Sequence, residues 1–192
     1  MPRALRRKLV IVGDHETGKT SLFTAFAHGR FPEPYVPSVF ESFVADRKVN
    51  GYDVELALWD TVAGTPDLDR IRPLSYSGTH VVLLCFSVDS KESFDRVEEH
   101  WIKELRHFLP YIPILLVATK TDLRHDAQLI NKLSRSGRHL ITTEEGSMLA
   151  QKIGATLYCE TSAKQIHGVQ DTFHRAMQAT VREEETGCCL VL

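Results

Sequence analysis

Apolar runs alternate along the chain with segments whose apolar positions recur every three or four residues. Leu9–Val12, Val54–Trp59, Val81–Ser87, Ile112–Ala118 and Thr156–Cys159 predict strands. Ser21–His28, Ser93–Leu109, Glu144–Ile153 and Val169–Val181 predict helices. In the second helix Phe94, Val97, Trp101 and Leu105 mark one face, and Ser90 is placed to cap it. Thr142 or Thr143, ahead of Glu144 and Glu145, is placed to cap the next. Such alternation predicts an α/β fold: a mostly parallel central sheet with helices on both faces and ligands at the C-terminal ends of its strands. The polar stretch 124–139 embeds Leu129, Ile130 and Leu133 and predicts a surface insertion carrying a short helix. One domain, residues 1–181, and a flexible tail, residues 182–192, are expected.

Composition narrows the class. A chain of 192 residues with 43% apolar content supports one sizeable core. A net charge of −2 leaves no footprint for non-specific nucleic-acid binding. Arg3, Arg6, Arg7 and Lys8 read as a solvated lead-in to the first strand, with contact to anionic lipid as the other reading. Cys85 and Cys159 fall in apolar runs and read as small buried hydrophobes. Nothing in the four cysteines suggests a disulfide framework or zinc site, which points to a reducing compartment. The N-terminus has no apolar signal core, and no run approaches the ~18 apolar residues of a membrane span. A soluble, monomeric, cytosolic body is expected.

Gly13-Asp14-His15-Glu16-Thr17-Gly18-Lys19-Thr20 fits G-x-x-x-x-G-K-[ST], between a strand and a helix. In that phosphate loop, backbone N–H groups from Gly13 and from Glu16, Thr17, Gly18, Lys19, Thr20 and Ser21 cradle nucleotide phosphates at a helix N-terminus. The loop alone does not separate kinases, ATPases and GTPases. Two further segments do. Thr119-Lys120-Thr121-Asp122 follows the fourth predicted strand. A carboxylate there accepts both the ring N–H and the exocyclic amine of guanine, a donor pair that adenine lacks. The stem of Lys120 can pack along the base. Glu160-Thr161-Ser162-Ala163-Lys164 follows the last strand, where backbone N–H groups of Ser162, Ala163 and Lys164 can meet the guanine carbonyl. The base predicted is guanine.

Further strings carry a family. Tyr35-Val36-Pro37-Ser38-Val39-Phe40-Glu41 looks like switch I, and Trp59-Asp60-Thr61 through Asp69-Arg70-Ile71-Arg72-Pro73-Leu74-Ser75-Tyr76 looks like switch II. The stretch 124–139 matches the Rho-type insert in position and length. The chain thus resembles the Rho branch of small GTPases over essentially its whole length. The resemblance implies a phosphate-loop NTPase fold, GTP/GDP and Mg²⁺ as ligands, and effectors, exchange factors and prenyl-binding chaperones as partners. It implies that Lys19 neutralises the β- and γ-phosphates and that Thr20, Ser38 and Asp60 hold Mg²⁺. By the same resemblance Phe31 lies against the base, Tyr35 over the phosphates, and Val39, Phe40 and Glu41 meet effectors.

The departures fall on the hydrolytic machinery. His15 stands where the family has glycine, beside the γ-phosphate. Thr65, followed by Pro66, stands where the family has the glutamine that orients the attacking water. Val62 makes Asp60-Thr61-Val62-Ala63-Gly64 one residue longer than the family's run and shifts Gly64, whose N–H would meet the γ-phosphate. Glu16 adds a carboxylate that repels a triphosphate; the other reading is that His15 and Glu16 both point to solvent and do little. Slow hydrolysis and poor response to activating proteins follow as the expectation. Thr65 and Lys19 remain as the catalytic candidates.

Cys189-Leu190-Val191-Leu192 reads as a C-a-a-X signal ending in leucine, which predicts geranylgeranylation of Cys189. One lipid seldom anchors stably, and the acidic run at Glu183, Glu184 and Glu185 repels anionic lipid, which leaves palmitoylation of Cys188 as the second signal. Residence on the cytoplasmic side of membranes is expected. Three readings stand: a switch that cycles slowly, a constitutively GTP-held binding module, and a decoy for regulators.

Overall fold

The computed structural model describes residues 4–32, 42–61 and 70–187, with the side chains of residues 182–187 outside that description. Six strands form one sheet: β1 (Leu5–Gly13), β2 (Ser42–Val49), β3 (Tyr52–Asp60), β4 (Val81–Ser87), β5 (Ile114–Thr119) and β6 (Leu157–Glu160). Their order is β2-β3-β1-β4-β5-β6, parallel throughout except for β2, which pairs antiparallel with β3 at one edge. The helices are α1 (Lys19–His28), α2 (Lys91–Arg96), α3 (Ile102–Phe108), α4 (Ala127–Arg135), α5 (Thr143–Lys152) and α6 (Val169–Gly187). Short 3₁₀ turns span Arg72–Tyr76 and Thr121–His125.

The central strands lack alternation because both faces are covered. Every residue of β4 and β5 is buried. Neighbouring positions serve opposite cores. Leu9 and Ile11 pack with Leu22, Phe26, Phe173 and Met177 under α1 and α6. Val10 and Val12 pack with Phe86, Trp101, Leu105 and Leu149 on the other face. Each such side chain contributes roughly 1.5–3 kcal/mol. Phe26 and Phe173 stack at 4.0 Å between centroids and fix α1 against α6.

The structure adds a strand that the apolar runs do not predict. β2 buries only Ala45 and Val49, so its sequence reads as polar. Asn50 (φ 50°) and Gly51 (φ 86°) turn it into β3, the conformation that a two-residue hairpin requires. β1 begins at Leu5, so Arg6, Arg7 and Lys8 belong to the strand itself rather than to a lead-in. The predicted helix Ser93–Leu109 is two α-helical pieces joined by a π-helical turn, Val97–Trp101. Capping follows the expectation: the Ser90 hydroxyl accepts from Ser93 N–H, and Thr142, not Thr143, forms a reciprocal box with Glu145. Stretch 124–139 carries α4, capped by Asp126. α6 runs past Val181 to Gly187. Among the described residues no helix is long and apolar enough to cross a membrane.

Strand order reverses at β1, which lies between β3 and β4. The crevice at the C-terminal ends of these strands is where ligands bind in such sheets.

Candidate functional site

The first wall of that crevice is the loop between β1 and α1. Gly13 (φ 141°) leaves β1 so close to β4 that a Cβ there would lie 2.2 Å from the Cys85 carbonyl oxygen. Gly18 (φ 84°) opens α1. Between them the Thr17 hydroxyl donates to the Asp14 carbonyl at 2.8 Å, and the Thr119 hydroxyl reaches the Thr17 carbonyl. Lys19 Nζ donates to the same Asp14 carbonyl at 2.5 Å. Burial pushes the Lys19 ammonium below its ordinary value, while the Asp60 carboxylate pulls it back. A buried ammonium held beside N–H-rich backbone fits a polyanion. His15 and Glu16 occupy the rim, with side chains 64% and 84% exposed and 3.8 Å between Nε2 and Oε1. Glu16 has φ 60°, a left-handed conformation that costs a non-glycine residue about 1 kcal/mol.

The second wall pairs two oxygens. Thr20 Oγ1 donates to Asp60 Oδ2 at 2.6 Å. Thr61 next to Asp60 is pinned by its hydroxyl to the Ile11 carbonyl, 2.6 Å away. A hydroxyl and a carboxylate brought together at the mouth of a phosphate loop suit a hard divalent cation such as Mg²⁺.

The third part is a cavity of about 180 Å³. Gly18, Ser21 and Phe31 line one side, and Thr119, Lys120, Asp122, Ala163 and Lys164 the other. Leu22, Leu123 and Thr161 complete the lining. Lys120 has φ 56° and its ammonium lies 3.6 Å from Asp89. Asp122 Oδ1 accepts the Ser162 hydroxyl at 2.6 Å, and Thr121 N–H donates to the Thr161 carbonyl at 3.2 Å. The sequence reading of Ser162 needs one correction. Its N–H donates to the His167 carbonyl at 3.0 Å, so it contributes its hydroxyl to Asp122 rather than an N–H to a base. Behind this pair Arg124 donates to Glu160 at 2.8 Å, and Tyr158 donates to the other Glu160 oxygen at 2.7 Å.

Phosphate-loop, cation and base candidates therefore converge at one end of the sheet. Tyr35, Ser38, Val39, Phe40, Glu41, Val62, Gly64, Thr65, Pro66, Cys188 and Cys189 lie outside the described residues. Sequence reasoning missed the partners of Asp14. Its Oδ1 accepts from Arg96 Nε at 2.9 Å and from Trp101 Nε1 at 2.8 Å. An acidic residue inside a phosphate loop was the available signal, but its partners are more than eighty positions away.

Residues 8–182 match the model of the Ras family. The chain is 56% identical to GTP-binding protein rho1 of Schizosaccharomyces pombe, covering 94% of this chain and 89% of the relative. It is 52% identical to GTP-binding protein RHO1 of Saccharomyces cerevisiae, covering 93% and 85%. Identity to the human Rho-related GTP-binding protein RhoB is 48%, covering 98% and 99%.

Proposed function

The chain belongs to the Ras family, among its Rho-type members, and on that premise we propose that it is a GTP-binding signalling switch with slow GTP hydrolysis. The observation that carries the nucleotide reading is the cavity bounded by Gly18, Phe31, Lys120 and Asp122, whose Gly18 directly precedes buried Lys19 in the chain. Asp122, oriented by the Ser162 hydroxyl, selects guanine by accepting two N–H groups. Lys19 and the N–H groups of Glu16 through Ser21 neutralise and hold the phosphates. Thr20 and Asp60, with Ser38, would hold Mg²⁺, which would supply neutralisation of the phosphate charge when bound.

Slow hydrolysis rests on three residues. Thr65 is too short to orient water and the transferring phosphoryl group together. Val62 displaces Gly64 along the chain. His15 stands on the exposed rim by which an activating protein's arginine would enter, a contribution worth ~10³–10⁵ in rate where it operates. Since cells hold more GTP than GDP, such a chain collects in the GTP state and recruits effectors through Val39, Phe40 and Glu41. His15 and Thr65 together favour a second reading: a constitutively GTP-held recruiter without useful turnover. Lipidation of Cys189 and Cys188 would bring either form to the cytoplasmic face of membranes.

The test is single-turnover phosphate release from the GTP-loaded protein, with and without a Rho-family activating protein. Bound phosphate persisting for hours in both arms is expected. Sharp acceleration by the activating protein would overturn the slow-hydrolysis reading and leave an ordinary switch.

A further inference from the structure

Asp14 puts a carboxylate into the loop that is to hold a triphosphate, and like charges at contact range repel. The fold turns that charge outward. Arg96 Nε and Trp101 Nε1 both donate to Asp14 Oδ1, at 2.9 and 2.8 Å. The backbone of the same residue faces inward, where its carbonyl accepts from Lys19 Nζ and from the Thr17 hydroxyl. Asp14 is thus the pivot between helix α2 and the ammonium that meets phosphate.

The helix is shaped for this contact. Arg96 and Trp101 are five residues apart. In a regular α-helix that spacing turns side chains about 140° apart. Here the chain passes through the π-helical turn Val97–Trp101, with Ile102 N–H bonded to the Val97 carbonyl. An i→i+5 closure returns residues five apart to the same side, and single π turns recur at functional sites. The indole is fixed by its ring face too. The Arg72 guanidinium stacks on it at 4.5 Å and is itself held by Glu104 at 2.9 and 2.6 Å.

We propose that Arg96 and Trp101 are positioning residues for nucleotide binding, neutralising and tethering Asp14 so that the phosphate loop keeps its curvature around Lys19. The proposal rests on the guanine-nucleotide reading. A loop whose next residues include the strained, charged Glu16 depends on the tether: with Asp14 released, the Lys19 acceptor swings and an uncompensated carboxylate faces the phosphates.

Dissociation rates of fluorescent GDP and GTP analogues from the full chain test this. Arg96→Gln should speed release by about tenfold, more for GTP than for GDP, with the effect shrinking as salt rises. Adding Asp14→Asn to Arg96→Gln should return the rate toward that of the unsubstituted chain, because no charge is left to compensate; a purely structural role would not be rescued. Trp101→Phe, which keeps a ring under Arg72 but loses the donor, should speed release by roughly fivefold. Arg175→Gln removes the same charge from an ion pair with Asp171, remote from the loop, and should leave the rate unchanged. Rates within about twofold of the unsubstituted chain for Arg96→Gln, or no rescue by Asp14→Asn, overturn the proposal. If Trp101→Phe does not fold, the half-exposed Arg96 alone decides. An unsubstituted chain that holds no guanine nucleotide overturns the nucleotide reading and this proposal together; one that binds while the variants match it overturns this proposal alone.

Discussion

Arg72 and Glu104 meet in a two-pronged ion pair, 2.9 Å from Nε to Oε1 and 2.6 Å from Nη2 to Oε2, with the guanidinium fully buried. Tyr76 donates a third bond to Glu104 at 2.5 Å, and His100 lies 3.5 Å away. Burial alone would raise the Glu104 carboxyl, but the Arg72 and Tyr76 hydrogen bonds and the nearby charges hold it below its usual value.

A carboxyl depressed in the folded state stabilises above its unfolded value, about 4.3, and loses that contribution as pH falls through the lower folded value. Glu160 and Glu145 are shifted in the same direction. Stability should therefore be level near neutrality and fall below about pH 4. Glu104→Gln should lower stability at pH 7 by about 3 kcal/mol, because it removes the carboxylate charge from the two-pronged pair with buried Arg72, and should flatten the acid limb. Urea unfolding at a series of pH values measures both.

Ser162→Ala removes the hydroxyl that orients Asp122 and should weaken GDP binding by roughly threefold to tenfold. Asp122→Ala deletes both acceptors for guanine and should weaken it by about a hundredfold or more. Calorimetric titration with GDP and ADP side by side checks the magnitudes, and ADP should be indifferent to both changes.

Restoring the hydrolytic positions together, His15→Gly with Thr65→Gln, should raise single-turnover hydrolysis on the order of tenfold or more. The double variant should also respond to an activating protein. A rate unchanged from the parent would assign the block to Val62.

Burial pushes the Cys85 thiol up to about 12, and Cys159 is raised by burial as well. Neither offers thiolate at neutral pH, so alkylating reagents should label both only after denaturation. Mass spectrometry of native and unfolded samples reads this directly.

Gly168 (φ 69°) lies where a Cβ would come 2.1 Å from the Glu160 carbonyl oxygen. Gly168→Ala should destabilise the chain by about 2 kcal/mol or more and open the loop that carries Ser162 and Ala163. Thermal unfolding and GDP affinity should fall together.

How much could be read from the chain depended on where each element buries its surface. β4, β5 and the Leu9–Val12 half of β1 were legible because both faces are covered and the runs are almost wholly apolar, whereas Arg6, Arg7 and Lys8 hid the start of β1. β2 was not, because an edge strand needs few apolar residues, although Asn50-Gly51 gave a hairpin signal. The π turn left no trace, since Phe94, Val97, Trp101 and Leu105 keep a helical spacing across the change of pitch. Lys19, Thr20, Asp60 and Asp122 were legible as motif positions. The contacts of Asp14 and Ser162 were not, because they join segments far apart in sequence.

The bond between Asp122 and Ser162 has a kinetic side. Those two residues come from stretches forty positions apart, and the Arg124–Glu160 pair joins the same stretches again a few residues away. Their ordering cost is met when the chain folds, and capture of a base needs no closing step on this side of the crevice. Arrival of a guanine nucleotide should then proceed at a rate set by encounter, and differences in grip between GTP and GDP should be written almost wholly in how long each one stays.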